Sequence, residues 1–441
     1  MNRYVQWGWI SISLIGHSWL AYATPRTATT QLLLLWCGLF LLYGFLLIKR
    51  VEKDFLLFVG AALLFRLVWL FALPALSDDV YRFIWDGRLL LHGYNPFVYL
   101  PANILYTEWA TRLGLGRELF QNLNSPRYYT VYPPLLQGWF AVATGLGTGT
   151  YATIVWLKVP ILLAELGSLL LIYRITKSVG YIEETARRAV LLYGLNPLVL
   201  AELTGNIHYE GVTIFFLLGS LYFWQEQKRN LSALMLAGAV GIKLLPLIFL
   251  PLLISRLKLR EQVSYAGLVG IGVLLSFLPF WDPAIWYNMS DSLGLYFRRF
   301  EFNAGLYYLL RSAGTWLLGY NPIGTLGPLL SLVSFSAILF LSFYKKIHFS
   351  LYERALLILT VYLLCATTVH PWYVTPLVAL GVLTRFRYVL VWSALLPLTY
   401  LAYGNVPFSE NLWVVGLEYL VVGGWLVIEV NKTRNEWRDR R

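Results

Sequence analysis

Apolar runs follow one another along almost the whole chain, at residues 5–22, 30–48, 55–75, 131–147, 151–173, 188–203, 209–225, 231–254, 263–281, 304–319, 325–344, 355–369, 372–384, 388–403 and 411–430. A helix needs roughly 20 mostly apolar residues to cross a bilayer. The pattern therefore predicts an all-α polytopic membrane protein with about 12–14 transmembrane helices. One stretch stands apart: residues 77–130 form a long hydrophilic segment, and function is expected to concentrate there. The chain reads as a single integral membrane domain over 1–441, ending in C-terminal helices and a basic tail (386–441).

Composition agrees: 58% of the 441 residues are hydrophobic and 13% charged. Soluble domains average about 45–50% and roughly 25%, so an ordinary soluble protein is excluded. Charge sets the orientation. Of 35 Lys and Arg residues, 23 fall at Arg3 and in short connections at 49–53, 174–188, 228–229, 256–260, 345–354, 385–387 and 432–441. Basic connections mark the cytoplasmic face. This places 77–130 on the extracytoplasmic side and the C-terminus in the cytoplasm, and the membrane expected is the plasma (inner) membrane. The net charge of +12 is then topological, and no nucleic-acid partner is expected. Cys37 and Cys365 lie in apolar runs and offer neither metal spacing nor a disulfide framework. Residues 1–23 resemble a signal peptide, but Trp7, Trp9, His17 and Trp19 favour a retained helix.

Three places break the in–out alternation: 131–173, 231–254 and 304–344. Each contains helix breakers, among them Pro133, Pro134, Gly241, Pro246, Gly319 and Pro322. Irregular backbone survives at membrane depth only where protein or a wet cavity satisfies it. The pattern predicts broken or short segments around a cavity open to the outside.

Within the loop, 77–92 reads as an amphipathic helix lying on the outer membrane surface, with Ser77 as N-cap and Asp78 and Asp79 in its first turn. Asp79, Arg82 and Asp86 share one face. The two acids either cap and solubilise the helix, or one is a general base, poised where a water-borne hydroxyl meets a membrane-borne donor. Tyr132 belongs to an aromatic group that suits an interfacial belt or sugar stacking.

Ser77 to Arg88, Gly93-Tyr94-Asn95-Pro96-Phe97 and Tyr132-Pro133-Pro134-Leu135 together resemble the first outer loop of GT-C fold glycosyltransferases. The resemblance is strongest to bacterial polyprenyl-phosphate-mannose-dependent mannosyltransferases, relatives of the GPI mannosyltransferases. It continues through Asn196-Pro197-Leu198, Glu202 to Gly205, His208, Lys243-Leu244-Leu245-Pro246, Phe300 to Tyr308 and His370-Pro371-Trp372-Tyr373. It spans about 55–385, which would be the GT-C-like catalytic core. Glu210 departs from the pattern, which has Asp there. The resemblance implies inverting transfer of a sugar, mannose, from a polyprenyl phosphate to an acceptor hydroxyl on the outer side. An outer-loop Asp, Asp78 by preference over Asp79, would be the base. Arg82, Asp86, Tyr132, Glu202, His208 and Glu210 are carried as candidate substrate contacts.

Ionisable groups inside spans are functional candidates by default. Lys243 sits in the broken 231–254 segment, which offers no acid of its own, and is assigned to the donor phosphate. His370, at an outer mouth, is a second candidate phosphate contact. Arg298 and Arg299 suit a phosphate or anionic lipid headgroups. Arg66 or Lys158 is expected to pair with Glu165. Asp78, Asp79 and a histidine could ligate a divalent ion, yet nothing in the spacing requires one, and no metal or other cofactor is expected. The expected partners are the lipid-linked donor, a glycan or lipid acceptor, and membrane lipids. A transporter or lipid flippase is the alternative, but no inverted repeat supports it. A scaffold is disfavoured by the paired acids and buried cations.

Overall fold

The computed structural model describes residues 1–346 and 349–438. Arg440 and Arg441 of the basic tail lie outside the described residues. Among the described residues the chain is helical, with no strand beyond one isolated bridge between Phe302 and Thr368. Among the described residues, six helices are long and apolar enough to cross a membrane: Thr29–Ile48, Glu52–Phe71, Thr150–Ser178, Leu259–Phe280, Ile323–Phe343 and Leu412–Thr433.

Other apolar runs are broken. Residues 231–254 form the helix Arg229–Ile242, an extended residue at Lys243, a 3₁₀ turn Leu245–Phe249 and a short helix Leu250–Ile254. Pro246 and Pro251 lack the N–H that a continuous helix needs. Residues 188–203 continue from the helix Glu183–Gly194 into a stop at Asn196, then a π-helical turn, Leu200–Gly205. Asn196 Oδ1 accepts the Leu198 and Val199 amides at 3.0 and 3.3 Å, restarting the chain before Pro197 can break it. The third expected break is a turn between two uninterrupted helices, Gly305–Leu318 and Ile323–Phe343, made by Gly319 at φ 77°. Outside the loop, the helix Ala284–Arg298 has no counterpart in the apolar pattern.

The loop helix, Asp79–Leu91, does not lie on a surface. Val80, Phe83 and Ile84 face the main core, while Trp85 and Leu89 are covered by Ile104, Ala110 and Leu115 from the rest of the loop. The amphipathic pattern arises because the helix has two apolar faces with buried polar residues between them. Phe83 stacks on Phe140 at 4.6 Å, pressing the helix onto Pro134–Leu146. At Gly87 the two backbones approach so closely that a Cβ would meet the Phe140 carbonyl. Gly87→Val is therefore expected to destabilise the fold by about 1–3 kcal/mol through overpacking, read as a lower unfolding temperature in detergent.

The buried charges are resolved by pairing. Arg66 donates to Glu165 at 2.9 Å and to the Gly194 carbonyl at 2.7 Å, with both charged side chains fully buried. Lys158 instead donates to the Trp69 and Ala72 carbonyls at 2.8 and 2.6 Å, at the end of the helix Phe55–Phe71. Thr204 donates to the free oxygen of Glu165 at 2.5 Å. This network ties two long helices to the π-helical turn, and so fixes the backbone that carries Glu202 and leads to His208.

Candidate active site

Neither acid at the start of the loop helix caps it. Asp79 N–H reaches Ser77 Oγ at 3.4 Å, while the Asp78 carboxylate, in the N-cap position, takes no helix amide. Arg26 donates to Asp78 at 2.6 Å and lies over the Tyr403 ring at 5.2 Å. Asp79 accepts from the Asn124 amide at 2.6 Å and from the Tyr132 hydroxyl. The capping account of these acids is thereby replaced: their oxygens serve side chains from three other parts of the chain. Protein packed around Asp79 raises its pKa above the ordinary value. The Asn124 bond, Lys243 and Tyr132 pull it back, and Asp78 adds to the rise.

This direction sets a pH dependence. A raised pKa means that Asp79 takes its proton at a higher pH than an ordinary Asp as the solution is acidified. Activity requiring the carboxylate should fall off early on the acid side. Asn124→Ala removes a bond that favours the charged form, so the acid limb of a kcat/KM profile is expected to move to higher pH.

Lys243 ends the helix Arg229–Ile242 with extended backbone (φ −148°, ψ 136°), which turns its side chain out of the helix path. Its amine is ion-paired with Glu210 and lies 4.9 Å over the Tyr373 ring. The expectation of a lysine without an acid partner is corrected: its own segment has none, but the first residue of the helix Glu210–Gln225 supplies one. Glu210 is almost fully buried, whereas the Lys243 side chain is 31% exposed, so the lysine is the outward member of the pair.

Behind the pair, four rings form a column. His208 stacks on Trp372 at 3.6 Å, Trp372 on His370 at 4.4 Å, and His370 on Phe302 at 4.9 Å. Backbone bonds of the Phe302 amide to Thr367 (3.0 Å) and of the Val369 amide to Phe302 (2.8 Å) hold the last ring. His208 Nε2 and His370 Nδ1 are buried and have no hydrogen-bond partner among the described residues. Glu202 Oε2 stands 3.6 Å from His208 Nε2, and Glu202 Oε1 accepts the Tyr400 hydroxyl at 2.5 Å. Asn206 joins this layer to the acids, its amide donating to Glu202 at 3.4 Å and its Oδ1 accepting the Leu76 N–H at 3.2 Å. Ile207 adopts φ 62°, a strained conformation for a β-branched residue and one that concentrates at functional sites.

Two sequence candidates have another role. Arg82 and Asp86 form a 2.8 Å pair that is 2% and 0% exposed, so neither can meet a substrate. Arg82 donates to the Tyr128 and Ser125 carbonyls at 2.8 and 3.3 Å, and Gln137 donates to Asp86 at 3.1 Å. They anchor the strand of loop that carries Asn124 and Tyr132, and so position Asp79 at second hand. Arg298 and Arg299 are exposed at the end of Ala284–Arg298, with no ion pair among the described residues. Their neighbour Phe300 meets Tyr128 edge-on at 5.9 Å, which sets them beside the loop. Sequence reasoning missed Arg26, Asn124, Tyr400 and Tyr403. Only Arg26 carried a signal, as the single cation in the first connection.

A family model described as alpha-(1->6)-mannopyranosyltransferase, N-terminal domain, matches residues 6–257. The chain belongs to this mannosyltransferase family. No curated protein and no solved structure matches it. The matched interval of the mannosyltransferase contains Asp78, Asp79, Tyr132, Glu202, His208, Glu210 and Lys243, while Arg298, Arg299 and His370 lie beyond it. Of the residues that the sequence offered to a divalent ion, Asp78 faces Arg26 and Asp79 faces Asn124. Among the described residues no three His, Cys, Asp or Glu side chains come together.

Proposed function

We propose that this mannosyltransferase takes mannose from a polyprenyl phosphate and joins it, with inversion, to the 6-hydroxyl of a glycan or glycolipid at the extracytoplasmic face. The observation that carries the proposal is that Asp79, a carboxylate at a helix start, lies within the electrostatic reach of Lys243, a partly exposed cation at a break in an apolar run. A phosphate whose tail lies in the bilayer can reach such a break from the side. A hydroxyl arriving through water meets the loop acids first.

The acceptor O–H gives its proton to Asp79, and the freed oxygen pair attacks C1 of the mannose. The C1–O bond to phosphate breaks, its electrons remaining on the phosphate oxygen. The transition state is oxocarbenium-like. Lys243 stabilises the charge that develops on the leaving group, and a fixed cation in a partly dry site is suited to that task. His370, only half-buried, is the second candidate contact for the same anion, whereas His208, 3% exposed and facing Glu202, supports it from behind through Trp372. Asp79 is preferred over Asp78 as the base because Arg26 already holds Asp78, while burial raises Asp79 towards the range useful for proton transfer. The basic connections at the opposite end support a cytoplasmic placement there.

Purified protein supplied with a mannose-terminated acceptor tests this reading. Transfer is expected from short-chain polyprenyl-phosphate mannose and not from GDP-mannose, with the product of opposite anomeric configuration to the donor. Transfer from the nucleotide sugar, or retained configuration, would overturn it.

A further inference from the structure

The Lys243–Glu210 pair is unusual for a site that must accept an anion. The lysine carries the charge a phosphate needs, yet the site supplies its own carboxylate to neutralise it. Glu210 is also held in place independently, because it opens a helix whose N-terminal dipole favours negative charge. Freed of the lysine, its carboxylate keeps that support and does not need to leave.

Charge changes during the reaction. A polyprenyl-phosphate sugar is a phosphodiester with one negative charge. The released polyprenyl phosphate is a monoester, with a charge of about −1.5 to −2 at neutral pH. The product is therefore the stronger ligand for Lys243, and a lone lysine would hold it.

Resting on the proposed donor chemistry, we infer that Glu210 is a displaceable counter-ion for Lys243, a positioning residue that speeds departure of the lipid phosphate. Donor binding draws the ammonium away from Glu210 while that carboxylate rests at its helix terminus. After transfer, Glu210 competes with the phosphate and takes the lysine back. Every anion then binds more weakly in proportion to the fraction of time Lys243 is free. Arm length matters. Glu210 reaches across from a neighbouring helix, and an Asp at this position would stop about 1.5 Å short, one carbon–carbon bond.

The test uses the full-length protein, with initial rates and inhibition by short-chain polyprenyl phosphate. Glu210→Gln should lower both the inhibition constant of the lipid phosphate and the donor KM about tenfold, the scale of one charge-assisted bond, with no rise in kcat. Glu210→Asp should shift both the same way, because the charge remains but the reach is lost. In a Lys243→Gln background, Glu210→Gln should change neither constant. If Glu210→Gln fails to fold, the Asp variant, which keeps the charge at the helix start, carries the test. Unchanged or raised constants in either variant would overturn the inference. A wild-type protein that transfers nothing from the lipid donor would instead overturn the reading on which it rests.

Discussion

Asp79→Asn is expected to lower kcat/KM for mannose transfer by about 10²–10⁴-fold, the span that a positioned general base contributes. Asparagine keeps the shape of the side chain and can still meet Asn124 and Tyr132, so the loop should remain folded. What disappears is the only atom pair at this position able to accept the acceptor's proton. Asp78→Asn should cost much less, about fivefold at most, because it weakens one partly exposed ion pair to Arg26 and leaves Asp79 in place. Initial rates with both variants on the lipid donor separate the two acids. A larger loss for Asp78→Asn would reverse the assignment and make Arg26 the group that orients the base.

The largest effect on stability is expected at Glu165. Glu165→Ala leaves the Arg66 guanidinium in a fully buried position without its counter-charge and removes the acceptor used by Thr204. Breaking a buried pair by deleting one partner costs about 3–5 kcal/mol. The expected result is a strongly lowered unfolding temperature, or protein recovered only in aggregates. Removing both charges together, as in Arg66→Met with Glu165→Leu, should recover much of the loss, because the attraction of a buried pair scarcely exceeds the cost of desolvating it. If the double variant recovers its fold but transfers mannose poorly, the network also positions the turn bearing Glu202. A single variant as stable as wild type would mean that Arg66 finds another acceptor, of which the Gly194 and Ala62 carbonyls are the nearest.

Much of this architecture is written locally in the chain. Helical spans follow from runs of apolar residues, and the break at Lys243 follows from Pro246 and Pro251, whose missing N–H groups no tertiary contact can restore. The i,i+4 spacing of Arg82 and Asp86 put them on one helix face, within reach of each other. It could not reveal that the pair is buried, because burial depends on the loop strand at 125–132 folding back over it. The same holds for the loop helix, whose second apolar face is covered by residues 104–115. Glu210 and Lys243 are 33 residues apart, and Arg26 and Asp78 are 52 apart. Such partners are chosen by how helices pack, and one sequence carries no trace of that choice. Ala284–Arg298 escaped notice for a different reason. Its buried Asn288 and Ser292 dilute the apolar signal, although Asn288 serves the Phe97 carbonyl at 3.0 Å and pins the loop.

The most direct test is a cryo-EM map of the protein bound to a non-transferable analogue of the polyprenyl-phosphate mannose. Phosphate density is expected in contact with the Lys243 ammonium, with the isoprenoid tail leaving between helices and the Asp79 carboxylate facing C1 from the side opposite the phosphate. A phosphate bound elsewhere, for instance at Arg298 and Arg299, with Asp79 out of reach of C1, would contradict this mechanism.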